Sequence, residues 1–164
     1  MKFTISWLKE HLETPATDDE IVTKLTSLGL EVEEYSDTSK AFSDFIVGQV
    51  LEEDKHPNAD KLKVCKVDIG TAKVDVVCGA PNVEKGMKVV YAPPGSTIPV
   101  NQMKLKAAKI RGVESSGMMC SEYELGISDN HEGIIRLKDD SKIGQPYAEI
   151  AGLDDVVIEI GITP

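Results

Sequence analysis

No stretch of the 164-residue chain approaches the roughly 18–20 consecutive apolar residues of a membrane-spanning helix. The opening segment, MKFTISWLKEHLE, turns charged too early for a signal peptide. Cysteine is scarce. Cys65, Cys78 and Cys120 are an odd number without Cys-x-x-Cys spacing, and His11, His56 and His131 have no ligand spacing with them. That pattern speaks against a disulfide framework and a zinc site, and for reduced core thiols in a cytoplasmic protein. There is no P-loop, no Gly-x-Gly-x-x-Gly, and no Gly-x-Ser-x-Gly around Ser115, Ser116 or Ser121. The acidic pairs Asp18-Asp19, Asp139-Asp140 and Asp154-Asp155 fall in polar turns or at a helix start. The sequence thus predicts no active site. Aromatics are also few, with none between Phe45 and Tyr91. A stacking platform for single strands along those residues is therefore not expected.

Positive charge is in short supply as well, but unevenly so. The chain carries a net charge of −10, which argues against general nucleic-acid affinity. Residues 1–40 contribute −5, residues 151–164 −3, and the middle, 41–150, only −2. Within that middle, Lys55–Lys66 is net +3 and Asn101–Val113 is net +4, the latter from Lys104, Lys106, Lys109 and Arg111. Two basic segments on a near-neutral domain fit a local phosphate-facing patch. They also fit solvated strand edges that prevent aggregation.

The periodicity divides the chain. In residues 1–40, Ile5, Leu8 and Leu12 share a helical period. Thr17-Asp18-Asp19-Glu20 is a capping box ahead of an amphipathic run, with Ile21, Val22, Leu25 and Leu28 on one side and Gly29 as the stop. Leu30–Glu33 alternates like a strand, and Ser36–Ser43 reads as a linker or boundary. From Phe45 the pattern is all β: Phe45–Leu51 with Gly48 marking a bulge or bend, Leu62–Ile69, Lys73–Cys78, Lys88–Ala92, one or two strands in Ile98–Ile110, and Ile134–Leu137. Val83–Gly86 reads as one helical turn. In Lys61–Val67 the alternation slips at Cys65, so the second strand is expected to be bulged at its middle. Val156–Ile162 is a final strand candidate.

Five or six short strands over about 105 residues fit a closed OB-fold barrel, with an SH3-like barrel as the alternative. The fold class expected is mainly β. An OB barrel at 41–150 is inserted into a partial α+β domain made from 1–40 and 151–164, the continuation of which lies beyond Thr163-Pro164. Two segments are candidates for chemistry. Lys55–Val67 is a Pro57-rigidified turn feeding a lysine-edged strand. Lys104–Glu124 is basic at its front and then runs Ser115-Ser116-Gly117-Met118-Met119. Its serines, Arg111 and a methionine suit phosphate, ribose or base contacts. Equally, the methionines suit core packing. Lysines, serines and amides on a rigid loop point to a structured RNA read by backbone and shape.

The strings HPNADKL (His56–Leu62), VCGAPN (Val77–Asn82), IRGVESSGMMCSEYELG (Ile110–Gly126) and HEGI (His131–Ile134) resemble the EMAP-II-like tRNA-binding domain, an OB-fold. With MKFTISWLKEHL at the start and IEIGITP at the end, the whole chain is similar to the N-terminal part of the bacterial phenylalanyl-tRNA synthetase β-subunit family. That resemblance implies an α2β2 ligase that joins phenylalanine to its tRNA with ATP and magnesium. The catalytic module lies in the α subunit, and editing domains lie further along β. It implies no catalysis and no cofactor in these residues themselves. The partners it implies are tRNA and the α subunit, with neither membrane nor DNA. In that domain family the Ser-x-Gly-Met element and basic barrel-face residues are associated with tRNA binding. Here these are Ser115, Gly117 and Met118, with Lys61 and Arg111 nearby, joined by Lys104, Lys106 and Lys109 of the basic segment. His56, Pro57, Asn58 and Asp60 are expected to shape the loop. The alternative is an assembly domain with a vestigial tRNA surface.

Overall fold

A computed structural model describes residues 1–161; the expected strand residue Ile162, with Thr163 and Pro164, lies outside the described residues. The chain forms two compact units, one of Met1–Phe42 with the segment from Ala151 on, the other of Ser43–Ile150.

In the first unit, β1 (Lys2–Thr4) leads into α1 (Ile5–His11), then α2 (Asp18–Ser27), β2 (Glu31–Asp37) and α3 (Thr38–Ala41). The returning strand, β12 (Val156–Gly161), lies between β1 and β2 in an antiparallel sheet. The capping box of α2 is present in full: Thr17 accepts from the Glu20 N–H and Glu20 accepts from the Thr17 N–H. Alternation in β12 buries Val156, Ile158 and Ile160 against Ile5 and Ile21. Three readings of the sequence are corrected here. Leu28 is 66% exposed rather than on the buried side, because α2 ends at Ser27 and Leu28 is already its cap. Leu12 is likewise beyond the end of α1 and exposed. Ser36–Ser43 holds the boundary between the two units, which falls after Phe42, but it is not an irregular linker. Ser36 and Asp37 end β2, and α3 follows because the Asp37 carboxylate accepts from the Ser39 N–H.

The second unit is an OB-like barrel. Its strands are β3 (Ile46–Lys55), β4 (Lys63–Asp68), β5 (Lys73–Cys78), β6 (Lys88–Ala92), β7 (Thr97–Ile98), β8 (Met103–Lys104), β9 (Ala108–Ile110), β10 (Val113–Ser115) and β11 (Met118–Met119), before the short α4 (Tyr147–Ala151). The main sheet runs β11-β6-β3-β4-β5, all antiparallel, so β3 pairs with both its successor and a later strand. Alternate burial along β4 and β5, and a β6 buried on both faces, fill the interior with Val50, Cys65, Val67, Val76, Val89, Tyr91 and Met119. Each such apolar side chain contributes roughly 1.5–3 kcal/mol on full burial.

The strand details differ from the sequence expectation in informative ways. The bulge is in β3, where the register shifts between Val50 and Glu52, and not in β4. β4 keeps one phase: Cys65 and Val67 are buried and Lys66 is exposed. Lys63 shares the inner parity, and its Nζ ends on Glu53 (2.7 Å) and the Val83 carbonyl (2.9 Å). A lysine on the inward parity is what made the sequence look slipped. Gly48 marks a close approach: a Cβ there would lie 2.8 Å from Val67 Cγ1. Val83–Gly86 is a turn rather than a helical turn, because the Gly86 N–H is drawn to the Val50 carbonyl at 2.7 Å. Ile134–Leu137 forms no continuous strand. Its backbone bonds split between neighbours, Ile135 N–H to Cys120 and Leu137 N–H to Lys88, leaving one bridge at Arg136 and Val89.

Candidate nucleic-acid interface

The Ser-x-Gly-Met element closes the barrel. β10 approaches the free edge of β5, where the Val77 N–H donates to Ser115 Oγ (3.0 Å) and the Ser116 N–H donates to the Asp75 carbonyl (2.8 Å). The chain then crosses to β6, pairing Met118 with Ala92 and Met119 with Tyr91. Between the two edges sits Gly117 at φ +93°, and a Cβ there would fall 2.4 Å from the Ala92 carbonyl oxygen. Only glycine fits such a crossing. The Tyr91 hydroxyl locks it by donating to the Ser116 carbonyl at 2.7 Å, and burial pushes that phenol's pKa up. These contacts commit one of the expected side chains. Ser115 is buried, with its hydroxyl committed to Val77 and Gly117, so it has no donor to offer a phosphate. Gly117 serves the closure, and with Ser115 it lines the groove beside the β9–β10 hairpin. Of the pair of methionines, Met119 is core, while Met118 is half-buried at the surface.

The turn His56–Leu62 is held by the bond from the His56 N–H to the Leu62 carbonyl (3.0 Å). His56 is buried, and both ring nitrogens are used. Nδ1 accepts from the Asn58 N–H, which assigns the proton to Nε2, 3.0 Å from the Ile110 carbonyl. The Asn58 amide donates to the Arg111 carbonyl at 3.0 Å. Pro57 and Asp60 are exposed within the turn. The loop thus holds the tip of the β9–β10 hairpin, where Arg111 (φ +48°) and Gly112 (φ +95°) make a two-residue turn of the I′ kind. Arg111 occupies a left-handed conformation that costs a non-glycine residue energy, and its side chain is exposed.

Beside this hairpin runs a groove of about 350 Å³ whose lining includes Lys104, Lys106, Ile110, Ser115, Gly117 and Met118. Lys104 stands on the small β7–β8 hairpin. Lys109 does not line this groove; it lies opposite Glu114 across the β9–β10 pair. Lys61 is exposed in the 56–62 turn and likewise lies outside the groove lining. None of Lys61, Lys104, Lys106, Lys109 and Arg111 has an ion-pair partner among the described residues. Free cations over a groove on an otherwise near-neutral unit suit a phosphodiester chain.

Two aromatic groups lie outside the expected set. Tyr123 is exposed, with its ring 5.7 Å from that of His131 in an edge arrangement. His131 lines a second groove, of about 310 Å³, that also meets Val77 and Met118. Absence of aromatics between Phe45 and Tyr91 says nothing of this later loop. The signal available was Tyr123 and His131 within the strings that carry the family resemblance. All three cysteines are free and buried. Burial pushes Cys65 up to about 12 and Cys78 and Cys120 up as well, which suits inert core thiols.

Comparison with known proteins places residues 45–146 in a match to the tRNA binding domain family. The chain is 55% identical over 165 residues to a phenylalanine–tRNA ligase beta subunit of Brucella abortus and 52% identical over 164 residues to that of Rhodospirillum rubrum, in each case with 100% of this chain aligned. It spans only about a fifth (20%) of the length of these curated relatives. Among solved structures, a methionyl-tRNA-synthetase-related protein of Pyrococcus horikoshii aligns with 69% of this chain and 97% of its own, at 24% identity and a TM-score of 0.49.

Proposed function

This chain belongs to the tRNA-binding domain family, and from that premise we propose that its barrel unit binds folded tRNA by backbone and shape within a phenylalanine–tRNA ligase β subunit. What supports this reading most is the groove flanked by unpaired Lys104 and Lys106, with Arg111 held beside it at the pinned hairpin tip. Phosphates lie along the lysines, Arg111 takes a further phosphate through its fork of donors, and Met118 packs against a sugar or base. Lys61 adds to the field at the adjoining turn; Lys109, facing Glu114, contributes less. The unit supports aminoacylation of tRNA in a cytoplasmic α2β2 enzyme with an α partner. ATP and magnesium act in that enzyme elsewhere. Among the described residues no group of three or more His, Cys, Asp or Glu side chains is placed to hold a metal ion, and no step here passes through either cofactor. No helix among the described residues is long and apolar enough to cross a membrane.

The test is a titration of tRNA at low and moderate salt against wild type and Lys104→Ala/Lys106→Ala/Arg111→Ala. Each lost phosphate contact is expected to reduce the salt slope by about 1 and weaken binding of any tRNA. Superimposable salt curves for the two proteins would sink the assignment. A second reading, an assembly domain with a vestigial RNA surface, is favoured by the exposed Trp7, Leu12 and Leu28 of the first unit. It expects no tRNA binding even at low ionic strength.

A further inference from the structure

The second groove adjoins the lysine-lined one at Val77 and Met118. We infer that it receives one unpaired guanine base of the RNA whose backbone lies along Lys104 and Lys106, an inference that rests on the RNA-binding reading above. Its lining includes Gly79, Ala80, Pro81, Met118, His131 and Ile134. These are flat or apolar surfaces, and the His131 ring, backed by Tyr123, supplies an aromatic face or edge for a base. Loops and bulges of folded RNA are where such bases are displayed.

The groove is preformed. Asn82 clamps the lining at Ile134 by donating to the Ile134 carbonyl (2.8 Å) and accepting from the Ile134 N–H (3.0 Å). Gly133 seats against it so closely that a Cβ would lie 2.6 Å from the Asn82 amide.

Chemistry selects the base. Glu124 lines the groove, with one carboxylate oxygen held by the Ser121 N–H and hydroxyl. Its other oxygen has no hydrogen-bond partner among the described residues. A carboxylate there repels a phosphate and accepts from N–H donors. Guanine presents two adjacent donors, N1–H and N2–H, with no acceptor between them. Uracil flanks its single N–H with two carbonyls, and adenine and cytosine place a ring acceptor beside the amino group. A guanine edge therefore meets Glu124 without an opposing lone pair.

The test uses the full chain and two labelled RNA hairpins that differ only in the loop, one all uridine and one with a single guanosine. Binding is read by fluorescence anisotropy at low salt. Wild type is expected to hold the guanosine loop about tenfold tighter. In Glu124→Gln, which keeps an oxygen for Ser121, that preference falls below about threefold; loss of the negative charge acts on both loops alike, so the ratio of the two affinities is what is read. His131→Ala, at an exposed position, weakens the guanosine loop more than the uridine loop, and an unchanged guanosine-loop affinity overturns the base site. Equal wild-type affinity for the two loops overturns the base site, as does full discrimination retained in Glu124→Gln. Failure of both hairpins and of tRNA to bind wild type overturns the RNA-binding reading with it, and so is told apart from failure of the base site alone.

Discussion

The amide of Asn58 donates to the carbonyl of Arg111 across 53 residues of sequence, at 3.0 Å. That bond fixes the hairpin tip from outside, so Arg111 is held in a left-handed conformation it would not choose by itself.

Strain at Arg111 separates folding from binding. Arg111→Gly relieves the left-handed conformation, offset by the greater freedom of glycine in the unfolded chain. Stability is expected to stay level or rise by up to about 1 kcal/mol, while tRNA affinity drops. Chemical denaturation together with tRNA titration reads both, and a parallel fall in the two would make Arg111 a structural residue only.

At the barrel closure the expectation is opposite. Gly117→Ala puts a Cβ against the Ala92 carbonyl and Tyr91 at positive φ. The loss should exceed about 2 kcal/mol, since backbone strain alone costs about 1–3. Gly126, at φ +69° with nothing within 4 Å of a Cβ, is the control. Its alanine variant pays only the conformational cost, about 1 kcal/mol. Equal thermal shifts for the two would contradict the crowded crossing.

Native thiols should be unreactive. With Cys65 pushed up to about 12 and Cys78 and Cys120 also raised by burial, iodoacetamide at pH 8 is expected to leave the folded chain unmodified and to label all three in denaturant. Cys78, the least buried of them and set in the second groove, reacts first as denaturant is added. Mass spectrometry over time counts the adducts.

Acid loosens the first unit. Burial pushes Asp155 up, but hydrogen bonds from Ser6, Thr4 and the Val156 N–H outweigh it and hold the carboxylate below its ordinary value. Asp37 is lowered too, by Ser39 first and then Lys40. A depressed carboxylate stabilises the folded form above its unfolded pKa, about 3.9, and that contribution is lost as pH falls through the lower folded value. Denaturation between pH 7 and 2.5 should show this loss, and Asp155→Asn should flatten it. An unchanged acid limb in the variant would place the acid sensitivity elsewhere.

Much of this molecule was legible in residue order. The capping box at Thr17–Glu20 and the strand Lys88–Ala92 could be read off directly because they depend on local chemistry and period. What misled was non-local. Lys63 looked outward because it is charged, yet Glu53 and the Val83 carbonyl hold it on the inner parity. Ser115 looked like a ligand donor, yet its partner is a backbone amide 38 residues away. His131 and Tyr123 carry no periodic signal; only the folded loop sets their rings together beside a groove.

The crossing at Ser115–Met119 has one more consequence. The backbone that shuts the barrel is also the ridge between its two grooves, so the site has a rigid frame and replaceable fittings. Residues 115 and 117 are fixed by the wall they complete. Met118 stands on that ridge, and Lys104, Lys106 and Arg111, on neighbouring segments, have no ion-pair partner among the described residues. Preference for one RNA over another can therefore be rewritten at those four positions without reopening the question of whether the barrel folds.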